Sequence, residues 1–106
     1  MSFVGRVRVL SERVMIPGKE PLVRSVMEKV VARVRLQPGF VRGDTLQDVN
    51  QPELFCVLTE WDSGAYLNRW FQDPDFKHLT LELDSLLGKP TRYQIFQRNK
   101  EEVFLL

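Results

Sequence analysis

The chain has 106 residues, 43% of them hydrophobic and 27% charged, with a formal net charge of +1. That is enough for one domain spanning 1–106 and too apolar for a disordered chain. Fifteen basic residues against fourteen acidic ones give no electrostatic reason to expect nucleic acid, and no apolar run reaches the roughly 20 residues of a membrane helix.

The segment from Met1 to Arg6 lacks the apolar core of a secretion signal, so the cytoplasm is the expected location. The single cysteine, Cys56, excludes an internal disulfide and any cysteine-cluster metal site, and no metal is expected. Flanked at alternate positions by Leu54 and Leu58, it reads as a small buried hydrophobe.

The pattern predicts a first strand from Phe3 to Ile16, rich in valine and interrupted by Arg6, Arg8, Glu12 and Arg13. Arg6, Arg8 and Arg13 are candidates to bind an anion, but scattered strand arginines of this kind are expected to face solvent. Pro17-Gly18 ends the strand. A helix follows, with Pro21 in its first turn. Leu22, Val23, Val26, Met27, Val30, Val31 and Val34 recur on one stripe, while Arg24, Glu28, Arg33 and Arg35 lie off it. Valine is a weak helix former, so this helix depends on burying its stripe. After Pro38-Gly39, residues Phe40 to Val49 read as a second strand and Asp48 to Pro52 as a turn. Leu54 to Trp61 reads as a third strand with apolar side chains on both faces. Two-sided apolarity implies that both faces are covered. In so short a chain helices cover only one, so the other is expected to meet a second copy.

Asp62-Ser63 opens a second helix. Pro74 interrupts it, Asp73 and Asp75 flank the break and read as caps, with Asp75 placed to cap the second part, and Phe76, Leu79, Leu83 and Leu86 line the inner face. Gly88 closes it. Thr91 to Arg98 reads as the last strand, and the apolar tail Val103 to Leu106 as a contact with a partner subunit. The order is β-α-β-β-α-β, an α+β ferredoxin-like plan with an antiparallel sheet and two helices on one face.

Pro17-Gly18-Lys19-Glu20 before a helix, Pro38-Gly39-Phe40 opening strand two and Glu60-Trp61-Asp62-Ser63 ending strand three form a recognisable series. It continues with Ala65-Tyr66, Trp70 and Asp73-Pro74-Asp75-Phe76. In this order the series, from about Val7 to Gln97, resembles the antibiotic biosynthesis monooxygenase (ABM) superfamily, which includes quinol monooxygenases and haem-degrading monooxygenases. The resemblance implies a homodimeric α+β barrel with a cavity in each subunit between sheet and helices. Its lining candidates here are Ser11, Trp70, Phe76 and Thr80. The haem-degrading members use an asparagine on strand one, then a tryptophan and an iron-ligating histidine on the second helix. The resemblance lays these on Ser11, Trp70 and Thr80, so only the tryptophan matches. The sole histidine, His78, falls about 200° around the helix from Phe76. Haem is thus not expected, and the expected cofactor is none.

The functional expectation is a small monooxygenase that oxidises an aromatic or quinol substrate without a cofactor. There the substrate anion itself reduces O₂. A haem-binding protein and a non-catalytic, ligand-holding dimer are the alternatives. Trp70 is placed to stack on a flat ligand. His78, beside Lys77, is the histidine available as a base, although a solvated role is the plainer reading. Tyr66 and Tyr93 read as bridges between core and solvent, Asn68 as pointing off the cavity and Trp61 as structural. No catalytic triad, paired carboxylates, phosphate loop or dinucleotide fingerprint is present.

Overall fold

The computed structural model describes residues 5–98. Phe3 and Val4 of the expected first strand and the tail Val103 to Leu106 lie outside the described residues. The elements are β1 (Val7–Val14), α1 (Glu20–Val34), β2 (Phe40–Gln47), β3 (Leu54–Trp61), α2 (Gly64–Phe71), α3 (Pro74–Leu87) and β4 (Arg92–Gln97). All strand pairs are antiparallel, in the order β2-β3-β1-β4. This is the α+β ferredoxin-like plan, with three helices where two were expected.

The extra helix comes from Pro74. A residue before proline is driven out of the helical region, and Asp73 accordingly sits at ψ 130. Its carboxylate accepts from the backbone N–H of Asp75 at 2.8 Å and of Phe76 at 3.3 Å, so Asp73 is the N-cap of α3. Asp75 is not the cap; it sits in the first turn and pairs with Arg33 of α1. At the far end Gly88, at φ 67, closes α3 in the left-handed region. Gly39 also has a positive φ, +78, and a Cβ there would fall 2.2 Å from Tyr66 Cγ. Glycine therefore lets α2 pack closely over the start of β2.

Strand alternation sorts the sheet into two faces. Val7, Val9, Ser11 and Arg13 of β1 are buried on the helix side. The register places Trp61, Thr59, Val57 and Phe55 of β3 beside them. One core cluster joins Val7, Val9 and Trp61 to Val34, Leu67 and Trp70; a second joins Val23 and Val26 of α1 to Leu79, Leu83 and Leu87 of α3. The helical stripe of α1 is narrower than its sequence suggests, since Leu22 and Val31 are exposed.

The opposite face carries Leu10, Leu46, Leu54, Cys56, Leu58 and Phe96, with Arg8 and Glu60 ion-paired at one end. Leu46 and Phe96 are exposed and the others half-buried.

Candidate functional site

The helix-facing side of the sheet is small at its centre. Ser11, Gly43, Thr45, Val57 and Thr59 occupy it, between the bulky Phe40–Trp61 pair and Phe55. The helices cannot collapse onto side chains this short, and a cavity of about 350 Å³ remains between sheet and helices. Val30 and Val34 of α1 roof it, and Trp70, Phe71 and Phe76 wall it from α2 and α3.

The Pro74 break builds the aromatic wall. It brings the last turn of α2 against the first turn of α3, so that Phe76 lies 5.0 Å from Trp70 and 5.3 Å from Phe71, centroid to centroid. Tyr93 of β4 closes the group at 5.4 Å from Phe71. Trp70 is 4% exposed, lies between helix and sheet, and stacks on Trp61 with centroids 6.4 Å apart. Trp61 is fully buried, lies outside the cavity lining, and donates through Nε1 to Thr59 Oγ1.

Of the four cavity candidates, Ser11, Trp70 and Phe76 line the cavity together. Thr80 does not. One turn beyond Phe76, it has risen about 6 Å along the helix, past the aromatic wall. His78 opens instead on a groove between α1 and α3 formed with Lys29, Arg33, Asp75 and Glu82. Asn68 is exposed, as is Tyr66 over Gly39.

Two side chains on the cavity wall depart from their expected roles. Arg13, expected to face solvent, is 8% exposed. Alternation along β1 puts it in the inward row with Val7, Val9 and Ser11, whereas Arg6 and Arg8 point outward to Glu60 and Asp62. Its Nη1 donates a long hydrogen bond of 3.5 Å to Ser11 Oγ, which itself donates to the Val57 carbonyl at 3.3 Å. Among the described residues its Nε has no partner and no carboxylate lies within 4 Å of it. Tyr93 Oη is likewise buried without a hydrogen bond of normal geometry. Burial pulls the Arg13 guanidinium down from its ordinary value, against which the nearby Tyr93 phenol and Asp84 carboxylate push it back up. Arginine stays charged at neutral pH through such shifts. Asp84 is itself engaged, accepting from Thr91 through both N–H and hydroxyl. The signal for Arg13 was present in the sequence as its odd-numbered place in the row Val7-Val9-Ser11.

A model of the family described as antibiotic biosynthesis monooxygenase matches residues 7–80. The chain belongs to the antibiotic biosynthesis monooxygenase family. Solved structures share its fold. SnoaB of Streptomyces nogalater, a cofactor-independent oxygenase, superposes with TM-score 0.76 at 19% identity, over 92% of this chain and 97% of that one. A conserved protein of Methanosarcina mazei gives 0.82 at 20% identity over 90% and 94%. Rv0793 of Mycobacterium tuberculosis gives 0.78 at 14% over 91% and 97%. A search of curated proteins found no match. Identities this low carry the ABM fold and nothing finer.

The residues present do not fit histidine-ligated haem. No histidine or cysteine lines the cavity, and both Thr80 and His78 lie off it. Among the described residues no group of three or more histidine, cysteine, aspartate or glutamate side chains is placed to hold a metal ion, and no helix is long and apolar enough to cross a membrane.

Proposed function

We propose that this ABM protein is a cytoplasmic homodimer whose subunits each oxidise a flat aromatic or quinol substrate with O₂, without a cofactor, in the cavity beside Trp70. The observation that carries this reading is the cavity itself: in an ABM chain, about 350 Å³ walled by Trp70, Phe71, Phe76 and Tyr93 suits a planar ring. Such a site excludes water, orients the ring and leaves the substrate anion to reduce O₂. One oxygen atom enters the substrate and the other leaves as water with the substrate's two hydrogens.

The dimer is supported by the apolar open face of the sheet. Leu10, Leu54, Cys56 and Leu58 form a strip along its centre that no helix among the described residues covers, and a second copy would bury it. The lone thiol Cys56 on that face fits a reducing compartment.

The test is oxygen uptake by the purified, metal-free and flavin-free protein with a panel of naphthohydroquinones, followed by product mass. Uptake above the spontaneous rate, with one added oxygen atom per product and a lower rate in Trp70→Phe, is the expected result. Tight binding of the same compounds with no added uptake would overturn the oxygenase reading in favour of a ligand-holding dimer.

A further inference from the structure

We propose that Arg13, with Ser11 and Tyr93, forms an anion-binding subsite on the sheet wall of the cavity, and that the ligand is a flat aromatic body bearing one anionic oxygen group, a carboxylate or an ionised phenol or enol. This rests on the reading of the cavity as a ligand site, but not on oxygen chemistry.

A guanidinium more than nine-tenths buried is costly to desolvate, and proteins normally set a carboxylate against it. Here the described residues supply the 3.5 Å contact to Ser11, a side-chain contact with the Tyr93 phenol and the more distant charge of Asp84, but no carboxylate within 4 Å. Arg13 Nε and Tyr93 Oη make no hydrogen bond of normal geometry, although the two side chains lie near each other, on the wall of one cavity, on neighbouring strands. Tyr93 is directly opposite Ser11 in the β1–β4 register, two residues from Arg13 along the strand. One oxyanion is the ligand group that satisfies both orphans at once. It accepts from the guanidinium and from the phenol O–H, and it neutralises the buried charge.

The rest of the lining agrees. Among the described residues its charged side chains are Arg13, Arg35, Arg42 and Asp44, and Asp44 is held by Arg42 at 3.6 Å. Arg35 and Arg42 are exposed, so the field outside the buried subsite also draws anions in. Opposite the cation, the aromatic wall accepts a ring. The ligand this pair of features recognises is therefore amphipathic, with a charged edge at Arg13 and an apolar plane at Trp70 and Phe76.

The experiment compares 2-naphthoate with 2-naphthamide, two probes of one shape that differ in charge. Calorimetric titration measures affinity in the full chain, and quenching of tryptophan emission reports occupancy near Trp70. The expected result is a preference for naphthoate on the order of ten- to a hundredfold, the range of a charge-assisted hydrogen bond. Arg13→Gln should remove that preference by weakening naphthoate far more than naphthamide, and Arg13→Lys should keep part of it. Raising salt to about 0.5 M should spare most of the preference, because a buried pair is screened far less than an exposed one. That salt test needs no variant and holds if Arg13→Gln fails to fold. Equal affinities in the wild type, a preference that survives Arg13→Gln, or one that vanishes with salt would each overturn the subsite. No binding of either probe would overturn it together with the cavity reading. A salt-resistant naphthoate preference in a protein that consumes no oxygen with any quinol upholds the subsite and sinks the oxygenase reading alone.

Discussion

Replacing Arg13 with methionine should make the protein more stable. Methionine keeps an unbranched apolar stem of similar reach, so the contacts of the arginine methylenes with the cavity wall are largely retained. What disappears is a buried cation with one unpaired N–H donor and no carboxylate within 4 Å among the described residues. An unsatisfied buried polar group costs about 1–3 kcal/mol, and the neighbour that loses a contact is Tyr93, whose buried Oη has no hydrogen bond of normal geometry to begin with. Ser11 Oγ keeps its 3.3 Å bond to Val57, and Asp84 keeps Thr91. The expected gain is therefore about 1–3 kcal/mol, and each kcal/mol is worth about 4–8 °C in a domain of this size. Urea unfolding and thermal scans of wild type and variant settle it, at one protein concentration because association also shifts apparent stability. A loss of 1 kcal/mol or more would refute the reasoning. It would mean that the guanidinium holds the fold together and that its charge is already balanced in the folded chain.

Trp70→Ala should cost about 3–5 kcal/mol, since the ring is buried between Trp61 and Phe76, whereas Trp70→Phe should cost far less and lower naphthoate affinity; paired unfolding and binding titrations distinguish the two. Leu58→Glu places a charge on the apolar open face, so sedimentation velocity should show a monomer of lower solubility, and an unchanged dimer would place the interface elsewhere. Burial, followed by Glu12 and Asp48, pushes the Cys56 thiol above its ordinary value. The unfolded chain therefore releases that proton first, and the contribution to stability is level at low pH and declines as pH rises past about 8.5. The difference in urea midpoint between wild type and Cys56→Ala should change with pH only in that alkaline range; a change centred below neutrality would contradict the assignment.

Much of the architecture was legible because two periodicities carry it. The two-sided apolar run Leu54 to Trp61 gave β3 to the residue, and the valine stripe of α1 gave its buried side. What sequence reasoning missed came from local backbone chemistry and from depth. Asp75 resembles a cap as much as Asp73 does, but the restriction that Pro74 imposes falls on the residue before it. Arg13 was read by residue type, as a strand arginine in solvent, when its parity with Val9 and Ser11 places it inside. Thr80 shares a helix face with Phe76, yet a face is a line along the axis and the cavity occupies only part of it. Depth of that kind depends on which side chains across the sheet are short, and Ser11, Gly43, Thr45 and Thr59 are brought together only by the register.

A buried cation also bears on how a substrate anion could form here. Among the described residues the charged lining contains one carboxylate, Asp44, and Arg42 holds it on the exposed edge strand, so these residues put no carboxylate base in the deep part of the cavity. A positive charge beside an acidic O–H favours its ionised form, by about one to three pKa units for a close neighbour. Under the proposed subsite, a bound phenol or enol then ionises because Arg13 stabilises its anion, and the proton leaves to solvent without a dedicated base. 2-Naphthol makes this measurable: it is neutral in neutral water, and its anion absorbs at longer wavelength. Titrating the bound probe with pH should give an apparent pKa about 1–3 units lower in wild type than in Arg13→Gln. The comparison between proteins cancels the opposing effect of desolvation, which both cavities share. Identical titration curves in the two proteins would show that Arg13 does not act on the ligand's ionisation, and a separate base would then have to be sought.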